Sequence, residues 1–224
     1  MSIITTTERT LTRRTYETLR DDILEGKFRP GERLVRRTIA KRLGISYVPV
    51  TEALYMLELD GLVQNLPKHG CRVRELTLEQ IQNDHAIREA LECQSARLAA
   101  EKGTKEQLTR LIQQSVRLDR ILSDADPQSS LGMQMHVEFH LAIAQISGLR
   151  FFVAELQKVW KQHFARWTWL SATLHKKPPQ GWHEQLMNEI MQGDPDRAER
   201  MMRIHTRYGT DIDEEVFQKL IDQM

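Results

Sequence analysis

The chain of 224 residues has 40% hydrophobic residues, 28% charged residues and a formal net charge of +1, which is typical of a globular protein. No apolar run approaches the roughly 18 residues of a membrane helix, and the N-terminus lacks the apolar core of a signal peptide. The two cysteines, Cys71 and Cys93, have no metal-ligand spacing and are expected to be reduced. These features predict a cytoplasmic protein that contacts no membrane.

Charge is distributed unevenly along the chain, since residues 1–76 carry about +4 and residues 77–224 about −3. A basic segment of this kind is compatible with nucleic-acid contact. With only 11 glycines, few aromatic residues and many long polar helix formers, the chain is expected to be mainly α-helical. We predict two domains, residues 1–76 and residues 77–224, because each segment is long enough to form its own core.

The first domain begins with a predicted flexible tail, residues 1–10, followed by a helix over residues 11–25. A short helix over residues 36–43 is expected to end at Gly44, which supplies a left-handed turn residue. Ser46 is expected to cap the next helix. The apolar residues of that helix recur at i, i+3, i+4 and i+7 spacing and are Val50, Ala53, Leu54 and Leu57. Two helices joined in this way are typical of a helix-turn-helix, which can place one helix in the major groove of DNA.

A hairpin is predicted behind this pair of helices. Its two short strand candidates, residues 62–66 and residues 71–74, flank a turn at residues 67–70 that contains a lysine. A hairpin with a basic tip is suited to lie along a phosphate backbone or in the minor groove. Three helices and this hairpin predict a winged helix-turn-helix.

The motifs of this segment resemble those of a known family. The run "LRDDILEGKFRPGERLVRRTIAKRLGISYVPVTEALYMLELDGLV" and the later run "PKHGCRV" are similar to the N-terminal domain of the GntR family of bacterial transcription regulators. They fit its opening pattern "I..G...PG..L", its core pattern "LA..LG.S..PV.EAL" and its closing pattern "L...GLV....GG/HG..V". The resemblance covers nearly all of residues 11–75 and implies binding to a double-stranded DNA operator.

The predicted DNA-contacting positions are Arg36, Arg37, Ser46, Tyr47, Thr51, Lys68, His69 and Gly70. Among them, the resemblance implies Arg37, His69 and Gly70, whereas Arg36 and Lys68 are candidates for phosphate contacts. Further candidates for phosphate contacts are Lys41, Arg42 and Arg72. The family usually has arginine where this chain has Tyr47 and Thr51. Arginine can bond guanine bidentately, whereas tyrosine or threonine offers a single hydrogen bond or contact with a thymine methyl group. Each lost bidentate pair should remove about 1–3 kcal/mol of base discrimination. We therefore expect an operator that diverges from the family norm; the alternative is a winged helix that mediates only protein contacts.

The second domain is predicted to be an antiparallel bundle of six or seven helices. Glycines, prolines and capping residues divide it into helices over about residues 77–102, 104–122, 131–147, 151–174, 182–192 and 195–208, with one more towards the end of the chain. The fourth of these helices is rich in aromatic residues, namely Trp160, Phe164, Trp167 and Trp169. They are interpreted as core and dimer contacts in preference to a ligand cage.

Four histidines of this domain are candidate metal ligands. His136 and His140 are four residues apart and face one direction on a helix, whereas His183 and His205 lie on later helices. Imidazole suits zinc, nickel and related metals, and helical bundles often gather ligands from several helices. The alternative is that each histidine is a surface residue or a hydrogen-bonded core residue.

This domain resembles the helical FCD effector-binding domain in the fatty-acid-regulator-like branch of the GntR family. The matching runs are "IREALECQSARLAA", "FHLAIAQISG" and the segment from His183 to His205. Members often hold a divalent metal with an aspartate, a histidine four residues later and two further histidines. The resemblance therefore implies His136, His140, His183 and His205 as ligands of zinc or nickel.

His136 departs from the family pattern, because it replaces the usual aspartate. An all-histidine site has no carboxylate to offset the metal charge, so an anionic effector or hydroxide would matter more for affinity. Alternatively, His136 lies outside the site, which leaves three ligands or no metal.

The same resemblance implies that Arg88 lies near the effector pocket, where a guanidinium beside a metal would hold a small carboxylate bidentately. The alternative is a surface ion pair with Asp84 or Glu92 at helical spacing. Leu149 replaces an asparagine that is usual in the family, which leaves the class of effector open.

Together these features predict a ligand-responsive transcription regulator. It is expected to be a repressor that binds an approximately palindromic operator as a homodimer and responds to a metal-anchored small carboxylate. It is not expected to be an enzyme, because no general base stands at motif spacing. The alternatives are a metal-responsive regulator without an organic effector and a metal-dependent hydrolase.

Overall fold

A computed structural model of the chain describes residues 6–24, 26–66, 70–75, 77–124, 130–160, 179–208 and 217–218. The chain divides into two compact units, Met1–Thr77 and Leu78–Gln223. The architecture is mainly α, with a winged helix-turn-helix in the first unit and a helical bundle in the second, which confirms the fold class expected from the sequence.

The described part of the first unit contains three helices and a small sheet. The helices are α1 (Thr6–Leu24), α2 (Arg36–Leu43) and α3 (Tyr47–Leu59). The strands are β1 (Arg33–Leu34), β2 (Val63–Leu66) and β3 (Gly70–Val73). Helix α1 packs on α3, and the two helices completely bury Leu19, Ile23, Leu54 and Leu57. Each such side chain stabilises the unit by about 1.5–3 kcal/mol relative to exposure, so this contact holds α3 in place.

Helix α1 starts earlier than the sequence analysis predicts. Residues 6–10, assigned there to a flexible tail, already form the first turns of α1. This segment contains no glycine or proline that would stop the helix. The prediction of a tail is therefore wrong for residues 6–10, while residues 1–5 lie outside the described part of the chain.

The turn between α2 and α3 has the expected glycine. Gly44 has a φ of 65°, and its backbone N–H donates to the carbonyl groups of Ala40 and Lys41. Ser46 occupies the N-cap position of α3, but its side chain makes no capping hydrogen bond, so that part of the prediction is wrong. Pro49, the third residue of the helix, has no N–H and so removes one of the two donors that a capping side chain can use, leaving only that of Val48.

The sheet is antiparallel with strand order β1-β3-β2. Strand β2 pairs with β3 in the register Val63 to Val73, and β1 pairs with the other edge of β3. The hairpin β2–β3 confirms the wing predicted from the sequence. Strand β1 is not predicted, because two residues are too few to show an alternating pattern.

The described part of the second unit contains six helices. They are α4 (Leu78–Lys102), α5 (Lys105–Asp124), α6 (Ser130–Gln145), α7 (residues 150–160), α8 (Trp182–Met191) and α9 (Pro195–Arg207). Helix α5 begins with a reciprocal capping box, because the Thr104 backbone N–H donates to Gln107 and the Gln107 N–H donates to the Thr104 hydroxyl. Residues 217–218 are also helical.

The core of the second unit positions the histidine-bearing helices. Helix α4 packs against α6, α8 and α9, while α5 packs against α6 and α8. The shared core is apolar, and its fully buried members include Leu118, Ile143, Leu186, Met187, Ile190 and Met202. Because α6, α8 and α9 meet around the same core, residues far apart in the sequence come together along their inner faces.

Candidate functional site

The outward face of α3 is the first candidate site. The inward residues Val50, Ala53, Leu54 and Leu57 are fully buried, as the spacing predicts. On the opposite face Tyr47 is 53% exposed, Val48 58% and Tyr55 58%, and Thr51 is also exposed. The first turn of α3 therefore presents uncharged side chains where the family usually has arginine.

The basic residues around this helix differ in their partners. Arg37 and Lys41 are exposed on α2 and form no ion pair with the described residues. The Arg36 guanidinium donates to the Asn65 side chain at 3.2 Å, and that of Arg42 donates to the Asp22 carboxylate at 2.6 Å. Arg37 and Lys41 are therefore the cations of α2 that are available for phosphate contacts.

The wing carries the other predicted DNA-contacting residues. Lys68 and His69 lie outside the described part of the chain. Gly70 begins β3 with a φ of 85°, a conformation that favours glycine. Arg72 on the same strand donates to the Glu75 carboxylate at 2.9 Å, so its charge is partly balanced within the first unit.

The four predicted histidines gather in the second unit. Helix α6 carries His136 and His140, α8 carries His183 and α9 carries His205. Their candidate ligand atoms all lie within 4.8 Å of one another. His140, His183 and His205 are buried, with His183 only 1% exposed, whereas His136 is partly exposed. The structure thus places His136 with the other three, unlike the alternative in which it lies outside the cluster.

The geometry of this cluster fits a metal ion. His140 Nε2 lies 2.9 Å from His136 Nε2. Two nitrogens bound to one metal at about 2.0–2.1 Å are at most about 4.2 Å apart. Because the candidate ligand atoms of the cluster spread over up to 4.8 Å, ligation needs the widest pairs to move together by about half an ångström. His183 Nε2 and His205 Nδ1 are buried without a hydrogen-bond partner among the described residues. Such atoms are rare in native proteins, and a metal would satisfy them.

Two carboxylates from other helices orient the cluster. Asp119 on α5 lies 2.6 Å from His183 Nδ1 and also accepts hydrogen bonds from the backbone N–H groups of His183 and Glu184. Glu92 on α4 lies 3.1 Å from His140 Nδ1. Each contact uses the Nδ1 atom and so directs Nε2 of the same ring towards the other histidines. This arrangement is typical of the outer sphere of a metal site.

Arg88 is buried beside the cluster, which corrects the alternative of a surface ion pair. Its Nε atom lies 3.7 Å from Glu92, which is 1% exposed. Its Nη2 atom donates to the Thr206 carbonyl oxygen at 2.9 Å, and its guanidinium lies 5.0 Å from the centre of the Trp160 ring. The pair with Glu92 predicted from helical spacing is formed, but in the interior, where neighbouring helices cover it.

Burial shapes the protonation of these groups. It lowers the pKa of His136 and His205 well below the ordinary value, and the neighbouring imidazoles lower it further. Burial also lowers the pKa of His183, although the Asp119 carboxylate opposes this effect. Burial raises the pKa of Glu92, but His140 and Arg88 outweigh it, so the net shift is downwards. The neutral imidazole is the form that binds a metal, so these shifts favour ligation.

Several residues of the site are not found from the sequence. Asp119 and Glu92 lie on helices other than those of their histidines, so no local spacing connects them. Trp182 stacks on His205 with ring centroids 5.4 Å apart, and Trp160 contacts His136 and His140. The sequence predicts Trp160 only as a core or dimer contact; its burial beside Ala144 and Leu156 confirms the core part, but its contact with the histidines is not predicted. Phe164, Trp167 and Trp169 lie outside the described residues.

Comparison with known proteins identifies the family. The family model described as "Bacterial regulatory proteins, gntR family" matches residues 11–73. The model described as "FCD domain" matches residues 85–208, more than half of the chain. The chain belongs to the GntR family. It is a transcriptional regulator of the type in which a GntR DNA-binding domain precedes an FCD domain, and members of this family bind DNA operators.

Curated GntR relatives cover most of the chain. The HTH-type transcriptional repressor RspR of Escherichia coli K12 is 28% identical over 193 residues, which are 85% of this chain and 83% of that protein. The Uxu operon transcriptional regulator of the same organism is 29% identical over 208 residues, covering 84% of this chain and 80% of the relative. These relatives are transcriptional regulators, not enzymes.

Solved structures support the same fold. E. coli McbR/YncC is 21% identical, has a TM-score of 0.67, and the match covers 95% of this chain and 98% of the other. A GntR regulator from Rhodococcus sp. RHA1 has a TM-score of 0.67 at 20% identity, with the same coverage. In the described part of the chain, no helix has the length and apolar character needed to cross a membrane.

Proposed function

We propose that this GntR regulator is a cytoplasmic repressor whose operator affinity is controlled by a small carboxylate bound at a metal in the second unit. The four-histidine cluster, with Arg88 buried close by, is the observation that supports this proposal most strongly. The proposed ligands are His136, His140, His183 and His205, and the proposed metal is zinc or nickel, because imidazole suits these borderline metals.

The proposed DNA interface is built from the first unit. Arg37 supplies an exposed charge for the phosphate backbone, while Ser46, Tyr47 and Thr51 stand at the start of the helix that would enter the major groove. The wing, with Lys68 and His69, is proposed to contact the adjacent backbone. A homodimer would present two such helices to an approximately palindromic operator. The repressor role is consistent with the name of the E. coli relative RspR.

The carboxylate effector is proposed from the charge of the site. Four neutral imidazoles leave the double positive charge of a metal uncompensated by its direct ligands, so an anion would add to the binding free energy. Arg88 places a guanidinium close to the cluster, and a guanidinium can hold a carboxylate bidentately. Such a ligand controls DNA binding only if it has different affinities for the DNA-competent and released states.

The second candidate is a metal-responsive regulator without an organic effector. It is favoured by the existing contacts of Arg88, because the guanidinium already contacts Glu92 and donates to the Thr206 carbonyl oxygen. A carboxylate would therefore have to compete with these partners. In this alternative, filling of the histidine cluster by the metal is itself the signal.

Operator binding is tested by selecting duplexes from a random library with the full-length protein and measuring affinity over a salt series. We expect affinity to fall steeply with salt, because Lys and Arg contacts to phosphate release counterions. Arg37→Ala should weaken binding to every sequence and reduce the salt slope by about one unit. Arg110→Ala, an exposed cation of α5, is the matched control and should change neither quantity. A failure to enrich any duplex at low salt would contradict the proposal.

A further inference from the structure

The DNA-reading helix carries no cation. The sequence of α3, YVPVTEALYMLEL, contains no lysine or arginine and two glutamates, Glu52 and Glu58. Its exposed first turn consists of Tyr47 and Val48, both more than half exposed, with Thr51 one turn further on. An exposed valine at this place is informative, because its side chain can contribute to base recognition only through apolar contact.

Both glutamates of α3 are held within the first unit. Glu52 accepts a hydrogen bond from the Thr12 hydroxyl at 2.6 Å. Glu58 accepts one from the backbone N–H of Asn65 at 3.0 Å and another from the Asn65 side chain. Since a free carboxylate would be the group that reads the cytosine amino group, these contacts remove that mode of recognition as well. The start of α3 therefore offers hydroxyl groups and apolar surface.

The major groove presents one apolar group, the 5-methyl group of thymine. Guanine is read most often by arginine or lysine, which α3 lacks, whereas valine, the threonine methyl group and the tyrosine ring fit a methyl group. The nearby cations, Arg37 and Lys41, lie on α2, which in this class of motif crosses the phosphate backbone. Charge and base recognition are thus assigned to different helices in this protein.

We propose that the regulator recognises thymine methyl groups in each operator half-site through Tyr47, Val48 and Thr51, the residues that determine specificity. The inference rests on the proposed binding to operator DNA and names the class of bases that is read. It requires that thymines occupy the positions facing the start of α3, and that affinity depends on their methyl groups.

Substitution of uracil for thymine tests this inference. Uracil keeps every hydrogen-bonding group of thymine and lacks only the methyl group. Starting from a selected operator, each half-site thymine is replaced singly and affinity is measured by fluorescence anisotropy. At one or two positions per half-site we expect a loss of about fourfold for each methyl group removed, and about 15-fold when both half-sites are changed.

Variants of α3 assign the effect to particular side chains. In Val48→Ala, replacing thymine by uracil should no longer reduce the affinity at one of the positions. Leu59→Ala removes an exposed apolar side chain from the far end of the same helix, and in this control variant the loss of affinity with uracil should be unchanged. Tyr47→Arg should shift the selected sequences towards guanine. If selected half-sites lack thymine, or if no uracil substitution changes the affinity more than twofold, the inference is wrong while operator binding stands. If no duplex is selected, the proposed function fails and the inference fails with it.

Discussion

Replacing His183 by alanine is expected to abolish stoichiometric binding of zinc or nickel and to remove the stabilisation that the metal gives. His183 is buried, its Nδ1 atom is 2.6 Å from Asp119, and its Nε2 atom has no hydrogen-bond partner among the described residues. A metal at 100 times its dissociation constant stabilises the folded state by about 2.7 kcal/mol. For a unit of this size, chelation should therefore lower the thermal midpoint of the wild-type protein by about 5–10 °C. The variant should show no response to chelator.

Two further variants sharpen this result. Asp119→Asn keeps all four histidines but weakens the contact that orients His183, so metal affinity should fall about 10- to 100-fold. His85→Gln is the control, because His85 Nε2 contacts the Thr206 carbonyl oxygen at 2.9 Å and lies outside the four-histidine cluster. It should retain one metal per chain by elemental analysis. Retention of a full metal equivalent by His183→Ala, with an unchanged response to chelator, would refute the assignment of the ligands.

The second large effect is expected from the buried pair of Arg88 and Glu92. Glu92→Gln leaves the Arg88 guanidinium buried beside a neutral side chain, and an uncompensated buried charge of this kind costs about 3–5 kcal/mol. The measurement is urea unfolding in the presence of chelator, so that metal binding does not contribute. All four tryptophans lie between residues 160 and 182, so tryptophan fluorescence reports the second unit.

The double variant Arg88→Met with Glu92→Leu removes both charges and fills similar volume. Replacing a buried ion pair by apolar residues is often neutral or stabilising. We therefore expect the free energy of unfolding of the double variant to lie within about 1 kcal/mol of the wild-type value. If the double variant loses as much unfolding free energy as Glu92→Gln, or more, then packing or hydrogen bonding, and not the unmatched charge, causes the destabilisation.

Local signals in the sequence are sufficient for most of the helices and for the placement of His136 and His140 on one helix face. Gly44 and the apolar spacing of the next helix identify the helix-turn-helix, and the spacing of His136 and His140 places both on one face of α6. These features need only helical geometry and turn chemistry. The resemblance to the FCD domain then supplies the link to His183 and His205, which spacing alone could not provide.

The interior polar network could not be predicted, because it depends on how helices pack. In the sequence, Glu92 and Asp119 look like ordinary acidic residues on the solvent-exposed face of a helix. Only the packing of α4 and α5 against the helices that carry the histidines shows that Glu92 contacts His140 and Asp119 contacts His183. For the same reason, the sequence does not decide whether Arg88 lies near the effector pocket or in an ion pair at the surface. The sequence does indicate a weaker cap at Ser46, since Pro49 removes one of the two N–H donors.

The most direct test of the proposed regulation is the operator affinity of the full-length protein in metal-loaded and chelated form, each measured with a panel of small carboxylic acids. We predict that metal, or metal with one of the acids, changes the affinity between about 5- and 150-fold, the usual range of coupling between two sites. His183→Ala should bind the operator and lose this dependence. Equal affinity in all of these conditions, for protein that binds the operator with a normal salt dependence, would contradict control of DNA binding by the four-histidine site.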